Sequence, residues 1–163
     1  GICSGCLKCR GWYGAGQMPG SAGQGTKGNG ISKMNVIGLG TDIIECLRIA
    51  KMIEKHGELF LNRVYTSTEI AYCSSRKAAN QSYAGRWAVK EAVLKAMGTG
   101  WSRGIRWKDI EVIIDLTGKP SVAIHGVAKE ICEELGITDV LISLSHCRSH
   151  ATATAIAVGN SID

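Results

Sequence analysis

Two carboxylates and one lysine have the types and spacing that phosphate chemistry needs. Asp42 follows an apolar run, and Glu91 lies in "GRWAVKEAVLKAMGTG" (85–100), which is apolar on almost every side when read at helical spacing. A helix that is apolar all round is usually buried, so the charge of Glu91 needs a partner. Converging carboxylates repel unless a cation or a proton joins them, and Mg²⁺ commonly binds one or two carboxylates together with substrate phosphates. With Lys95 one turn beyond Glu91, the three residues predict a Mg²⁺ and diphosphate site.

The same three residues also have ordinary structural interpretations. Glu91 and Lys95 are spaced for an i,i+4 surface ion pair, which stabilises a helix by about 0.2–0.5 kcal/mol. Asp42 is of a residue type that often caps the N-terminus of a helix. Spacing alone favours these interpretations, so the prediction of a site depends on the motifs that surround the three residues.

The elements that must position these residues can be predicted from hydrophobic periodicity. "NVIGLGTDI" alternates and predicts a strand that ends near Asp42, whereas a long helix is expected over about residues 78–97 with Gly98 as its C-cap. An earlier helix, "ECLRIAKMIEKHG", is predicted to end at Gly57, and a hairpin is predicted to turn at Gly118. Shorter elements are predicted at "TSTE" (the capping box of a helix), "VAKEICEELG" (a helix), "DVLISLSH" and "HATATAIAVG" (two strands). This order predicts one α/β domain of the α+β kind, in which a largely antiparallel sheet packs against a long central helix.

Residues 1–33 differ in composition from the rest of the chain. They are Gly-rich, lack helical or strand periodicity and predict a disordered leader, from an expression vector or an upstream extension, before a domain that spans residues 34–163. Cys3, Cys6 and Cys9 have the C-x2-C-x2-C spacing that opens an iron–sulfur motif, but the fourth cysteine followed by proline is missing. The other cysteines are scattered and predict reduced thiols: Cys46, Cys73, Cys132 and Cys147.

The charge and hydropathy of the chain argue against two classes of partner. The formal net charge is +5, but residues 1–33 hold four basic residues and no acidic ones, which leaves 15 Lys and Arg against 14 Asp and Glu in the domain. A nucleic-acid-binding module carries its charge on the folded domain, so no nucleic-acid partner is expected. The sequence has no run of 18 apolar residues and no secretory signal, so we expect a cytoplasmic protein without a membrane partner.

Six short motifs occur in the order and spacing of a known family. They are "GTDIIE" (40–45), "WAVKEAVLKA" (87–96), "GTG" (98–100), "DIEV" (109–112), "GKP" (118–120) and "ISLSH" (142–146). Over residues 34–159 the sequence resembles the holo-acyl-carrier-protein synthases, the small type of 4′-phosphopantetheinyl transferase. The combination of motifs across one complete domain carries the resemblance, which implies the single-domain fold of that transferase type.

The resemblance implies a Mg²⁺-dependent reaction in which 4′-phosphopantetheine moves from coenzyme A to a serine of an apo acyl carrier protein. The other product would be adenosine 3′,5′-bisphosphate. By the family's motifs, Asp42 and Glu91 would bind Mg²⁺, and Lys95 would neutralise the departing phosphate. Glu91 or a water on the metal would accept the seryl proton. The family also implies a homotrimer whose sites are shared between neighbouring subunits.

Further residues are candidates for roles around this reaction. His146 closes "ISLSH", a strand that the family places near the site, and it is interpreted either as a catalytic residue or as a residue hydrogen-bonded in a turn. Arg86 and Lys77, together with Lys95, are candidates for binding the phosphates of coenzyme A, with Arg76 beside them. A stripe of basic residues on the first helix predicts docking of the acidic carrier, with a solvated helix face as the alternative; it consists of Arg48, Lys51 and Lys55.

Two other functions remain alternatives at this point. A Mg²⁺-dependent hydrolase of nucleotide diphosphates would use the same carboxylates, but it would need a base that orients water and would have no use for the basic stripe. A non-catalytic scaffold that binds the carrier would keep the stripe. The set of Asp42, Glu91 and Lys95 argues against the scaffold, which does not need a metal site.

Overall fold

The computed structural model describes residues 35–159, which form five strands, four α-helices and one 3₁₀ turn. In chain order the elements are β1 (Asn35–Glu45), α1 (Cys46–Val64), α2 (Ser67–Ser74), α3 (Ala79–Met97), the 3₁₀ turn (Trp107–Asp109), β2 (Ile110–Ile114), β3 (Pro120–Ile124), α4 (Gly126–Glu134), β4 (Ile137–His146) and β5 (His150–Gly159). The predicted leader, residues 1–33, lies outside the described residues, and so do Cys3, Cys6 and Cys9.

The strands form two antiparallel sheets. β5 lies between β1 and β4 in a three-stranded sheet, and β2 pairs with β3 in the predicted hairpin. On β5 every second residue is a buried alanine, at Ala151, Ala153, Ala155 and Ala157. This alternation is the pattern of a strand with one face on the core. The prediction of a largely antiparallel sheet on a long central helix is confirmed.

The central helix α3 packs directly on this sheet because β1 presents glycines to it. A Cβ atom added at Gly40 would lie 2.0 Å from the carbonyl oxygen of Ala92, and one added at Gly38 would lie 1.9 Å from that of Ala96. Only glycine permits such an approach of one backbone to another. Asp42 follows Gly40 by two residues, so its side chain lies on the same face of β1, beside α3.

Two predicted boundaries were wrong. β1 does not end near Asp42 but continues to Glu45, because its residues keep pairing with β5 as far as the pair of Glu45 and His150. The first helix does not end at Gly57. It kinks there, where Gly57 has φ 54° and ψ −134°, and continues to Val64 because the buried face recurs beyond the kink.

The second helix is fixed by the predicted capping box. The Thr66 hydroxyl accepts from the Glu69 backbone amide, and the Glu69 carboxylate accepts from the Thr66 amide at 2.9 Å. Glu69 is also fully buried and accepts a hydrogen bond at 2.9 Å from Nζ of the fully buried Lys90 on α3. Burial lowers the pKa of Lys90, while the charge of Glu69 opposes this shift. This pair joins α2 to the central helix.

None of the helices within residues 35–159 combines the length and the apolar character that crossing a membrane requires.

Candidate active site

Asp42 and Lys95 meet where β1 crosses α3. Lys95 Nζ donates to Asp42 Oδ1 at 2.8 Å and to the Thr41 carbonyl oxygen at 2.9 Å. Gly40 lies against Cβ of Lys95. Because side chains on a helix tilt toward its N-terminus, the lysine side chain extends back along α3 and reaches Asp42. The Asp42 side chain is 15% exposed and that of Lys95 is 51% exposed, so the lysine end of the pair faces solvent.

Glu91 has a different partner. The indole Nε1 of Trp101 donates to Glu91 Oε1 at 3.2 Å. Glu91 and Lys95 form no ion pair within the described part of the chain, so the interpretation as an i,i+4 surface pair was wrong. The interpretation of Asp42 as a helix cap was also wrong, because Asp42 lies inside β1 and Glu45 occupies the N-cap position of α1.

The carboxylates of Asp42 and Glu91 are the type of ligand that a hard divalent cation binds. They project from facing elements, and Glu91 precedes Lys95 by one turn, a spacing that separates Cβ atoms by about 5–6 Å. The Lys95 ammonium already occupies a position between the Asp42 carboxylate and a backbone carbonyl, so this end of the site accepts a positive charge. Residues 35–159 contain no group of three or more His, Cys, Asp or Glu that could hold a metal. Two carboxylates with open positions suit Mg²⁺, which shares its coordination with phosphates and water.

Arg86 and His146 line a second part of the surface together. A cavity of about 200 Å³ is bounded by both residues, by Tyr72, and by Gly118 and Pro120 of the "GKP" turn. Arg86 is 4% exposed, and its guanidinium lies 4.2 Å from the centre of the Tyr72 ring. Its Nε has no hydrogen-bond partner among residues 35–159. A guanidinium that lines a cavity is suited to an anion.

The other predicted residues lie at the surface. Lys77 is exposed in the turn between α2 and α3 and does not line the Arg86 cavity. Arg76 lies on the Tyr72 ring at 4.3 Å. The basic stripe is exposed along α1 before the kink, at Arg48, Lys51 and Lys55. Beside it, Met52 lines an apolar groove that extends to Phe60.

Comparison with known proteins identifies the family. The family model of the 4′-phosphopantetheinyl transferase superfamily matches residues 38–155. The chain belongs to this superfamily. A holo-[acyl-carrier-protein] synthase of Ruminiclostridium cellulolyticum is 50% identical over 125 residues, which cover 76% of this chain and 93% of that protein.

Solved structures agree with this superfamily membership. The acyl carrier protein synthase of Plasmodium yoelii with ADP bound is 35% identical, with a TM-score of 0.70 over 79% of this chain and 99% of that one. The Helicobacter pylori holo-[acyl-carrier-protein] synthase in complex with coenzyme A is 28% identical, with a TM-score of 0.65 over 73% of this chain and 98% of that one. The predicted family, fold class and enzyme class are thereby confirmed.

One residue at the site was not predicted from the sequence. Trp101 follows the "GTG" motif, and no periodicity or motif of the transferase superfamily marks it as a partner of Glu91. The only signal is that an aromatic side chain directly follows a glycine-rich loop, which is too weak to assign a contact.

Proposed function

We propose that this chain transfers 4′-phosphopantetheine from coenzyme A to a serine of an apo acyl carrier protein and releases adenosine 3′,5′-bisphosphate. The observation that carries the proposal is the contact of Lys95 with Asp42, one turn from Glu91, in a member of the transferase superfamily. The name of the R. cellulolyticum relative and the coenzyme A in the H. pylori structure support the choice of substrates.

We further propose that Asp42 and Glu91 hold Mg²⁺. When bound, the ion would neutralise the diphosphate of coenzyme A and act as a Lewis acid on it. Lys95 has three donors on a flexible stem, so it can leave Asp42 and donate to an oxygen of the departing phosphate. Its 51% exposure leaves room for this movement. The seryl proton passes either to the Glu91 carboxylate or to a water beside it.

The remaining phosphates of coenzyme A are assigned to the basic residues near α3. Arg86 lines a cavity, and its guanidinium is proposed to form a charge-assisted hydrogen bond to a phosphate there. Lys77 lies at the exposed turn before α3 and is proposed as a second contact. His146 lines the cavity of Arg86, and its exposed imidazole is proposed to take part in catalysis by donating to the substrate there.

The carrier is proposed to dock on α1. Arg48, Lys51 and Lys55 are exposed and follow one another at spacings of three and four residues, which places them on one face. Acyl carrier proteins are acidic, so this stripe attracts them over the range of a Debye length, about 8–10 Å at 0.10–0.15 M salt.

A homotrimer is proposed for the assembly. The sheet face turned away from α3 carries exposed apolar side chains, among them Leu39, Ile43 and Leu141. Leu39 and Leu141 both pair with Ile156, so they form one row across the three strands. A contiguous apolar row favours contact with another protein surface. Light scattering of the purified chain tests the stoichiometry.

A cytoplasmic location is proposed on chemical grounds. Cys46, Cys73, Cys132 and Cys147 are all free thiols, as is typical of proteins in reducing compartments.

Mass spectrometry of the carrier tests the proposed reaction. Incubation of an apo acyl carrier protein with the full chain, coenzyme A and Mg²⁺ should add one phosphopantetheine group to the carrier. A carrier with its acceptor serine replaced by alanine should remain unmodified. Hydrolysis of coenzyme A in the absence of carrier, with no modification of the carrier, would instead support the hydrolase alternative. Binding of the carrier without turnover would support the scaffold.

A further inference from the structure

The Glu91 carboxylate is held by a residue outside the motifs of the site. Trp101 Nε1 donates to Glu91 Oε1 at 3.2 Å, and this indole is the one hydrogen-bond donor to that carboxylate among the residues the structure describes. An indole has a single N–H and accepts no hydrogen bond through its nitrogen. Trp101 therefore engages one oxygen of Glu91 and leaves the other for a cation.

The Trp101 ring itself packs against a row of tryptophan rings at tilted angles. Its centroid lies 3.6 Å from that of Trp107, which in turn lies 4.2 Å from Trp87 on α3. The backbone under Trp107 is also fixed, because its carbonyl accepts at 3.1 Å from the buried Nζ of Lys90. The position of the indole N–H thus depends on rings that pack against the core, although Trp101 itself is 41% exposed.

The chain reverses between Glu91 and Trp101 to make this contact. Gly98 ends α3 with φ 70° and Gly100 follows with φ 56°, both in the left-handed region that favours glycine. Ser102 Oγ then donates to the Thr99 carbonyl at 2.7 Å and closes the turn. The loop therefore returns the indole to the side of α3 that carries Glu91.

We propose that Trp101 is a positioning residue that holds the Glu91 side chain in the orientation required for binding a divalent cation. This inference rests on the proposed Mg²⁺ site. A glutamate with no hydrogen-bond partner would lose rotamer freedom when it binds the ion, and this loss lowers the affinity. A glutamate already held by Trp101 has lost that freedom before the ion binds. Hydrogen-bond partners of metal-binding carboxylates typically change metal affinity or activity by about 10–100-fold when they are removed.

Two substitutions distinguish the contribution of the indole N–H from that of the aromatic ring. Trp101→Phe removes the donor but keeps an aromatic ring on Trp107, and Trp101→Ala removes both. Binding of Mn²⁺ to the full chain, followed through the electron paramagnetic resonance signal of the free ion with and without coenzyme A, reports on the site without turnover. We expect both variants to weaken Mn²⁺ binding by about 10-fold. At saturating Mg²⁺, kcat of Trp101→Phe should return close to the wild-type value, while its half-saturating Mg²⁺ concentration stays raised.

The results of these measurements distinguish a failure of the role proposed for Trp101 from a failure of the proposed metal site. Wild-type affinity in Trp101→Phe with weak binding in Trp101→Ala would show that ring packing matters and would overturn the role of the N–H. Glu91→Gln is the reference variant and should weaken Mn²⁺ binding further than either. If the wild type bound no Mn²⁺, or Glu91→Gln bound it equally well, the proposed metal site would be wrong and the role of Trp101 would fail with it.

Discussion

Lys95 on α3 donates to Asp42 on β1, although its spacing along the helix also suits Glu91. The close approach of Gly40 to Lys95 decides between the two partners, because it brings β1 within reach of the ammonium. The two carboxylates of the site therefore have unlike partners: Asp42 has the ammonium of a lysine and Glu91 has a neutral indole. This difference makes the contributions of the two carboxylates separable by mutation.

The first prediction concerns these carboxylates. Asp42→Asn and Glu91→Gln should each lower turnover by about 10²–10³-fold, the typical loss when one group that stabilises developing charge is removed. Both proteins should stay folded, because each replacement keeps the size of the side chain and the Lys95 partner of Asp42 is 51% exposed, where an ion pair contributes only about 0–1 kcal/mol. Rates of carrier modification and thermal unfolding curves provide the measurements.

Glu130→Gln is the matched control for the carboxylate variants, because Glu130 is exposed on α4 and belongs to none of the motifs of the site. It should show wild-type turnover. Near-normal rates for either site variant at limiting Mg²⁺ would show that the assigned carboxylates do not hold the ion.

A second prediction tests the contact of β1 with α3. Gly40→Ala places a Cβ atom 2.0 Å from the Ala92 carbonyl, so β1 must move away from the helix. Overpacking of this kind costs about 1–3 kcal/mol, and it should also lower turnover by separating Asp42 from Lys95. Gly85→Ala is the control, since its Cβ would meet only Leu144 Cδ1 at 3.4 Å. That change should leave the free energy of unfolding unchanged or raise it by up to about 1 kcal/mol. Equal free energies of unfolding for the two variants in urea would refute the prediction.

A third prediction concerns acid stability. Burial raises the pKa of Glu111, but hydrogen bonds from Thr66 and His125 outweigh it, so the pKa lies below its ordinary value of 4.5. Between this lowered pKa and 4.5, the unfolded chain binds a proton at this residue that the folded chain does not. The stabilising contribution of Glu111 is therefore fully present above pH 4.5. It is lost as the pH falls from 4.5 through the lowered pKa of Glu111.

Glu111→Gln should remove this part of the pH dependence. Urea unfolding over about pH 3–6 should give a shallower slope of the unfolding free energy against pH in the variant than in the wild type. An identical slope would mean that other carboxylates account for the acid sensitivity.

The fourth prediction addresses carrier docking. Arg48→Glu should raise KM for the carrier and flatten its dependence on salt, because the variant loses the long-range attraction that salt screens. KM for coenzyme A should change little. Lys129→Glu makes the same change of charge on the exposed surface of α4 and should leave the carrier KM near its wild-type value. A rise in KM for coenzyme A alone would place α1 at the nucleotide site.

Much of the fold could be predicted from hydrophobic periodicity, whereas the hydrogen-bond partners of the site residues could not. The long helix and its glycine cap follow from local pattern, and the structure has Gly98 in the left-handed region at its end. The partner of Lys95 depends on how closely β1 crosses α3, which is a tertiary property. The first helix was predicted to end at Gly57 because glycine commonly ends helices. The helix instead bends at Gly57 and continues, because the turns beyond it are held in the core by the buried Phe60 and Val64.

Trp101 shows a second limit of sequence-based prediction. Its contact with Glu91 needs a reversal of the chain through two left-handed glycines and a platform at Trp107. The contact joins residues ten positions apart, and neither helical nor strand periodicity relates them. Motif comparison also fails here, because Trp101 lies just beyond the last residue of "GTG".

The alanines of β5 have a consequence for redesign. Ala151, Ala153, Ala155 and Ala157 contribute no chemistry, yet their small volume determines how deeply α3 sits on the sheet. A valine at one of them would act as a spacer, which would lift the helix and widen the distance that Lys95 must bridge. The distance between Asp42 and Lys95 can thus be adjusted through the buried alanines of the neighbouring strand, one of which, Ala153, pairs with Asp42.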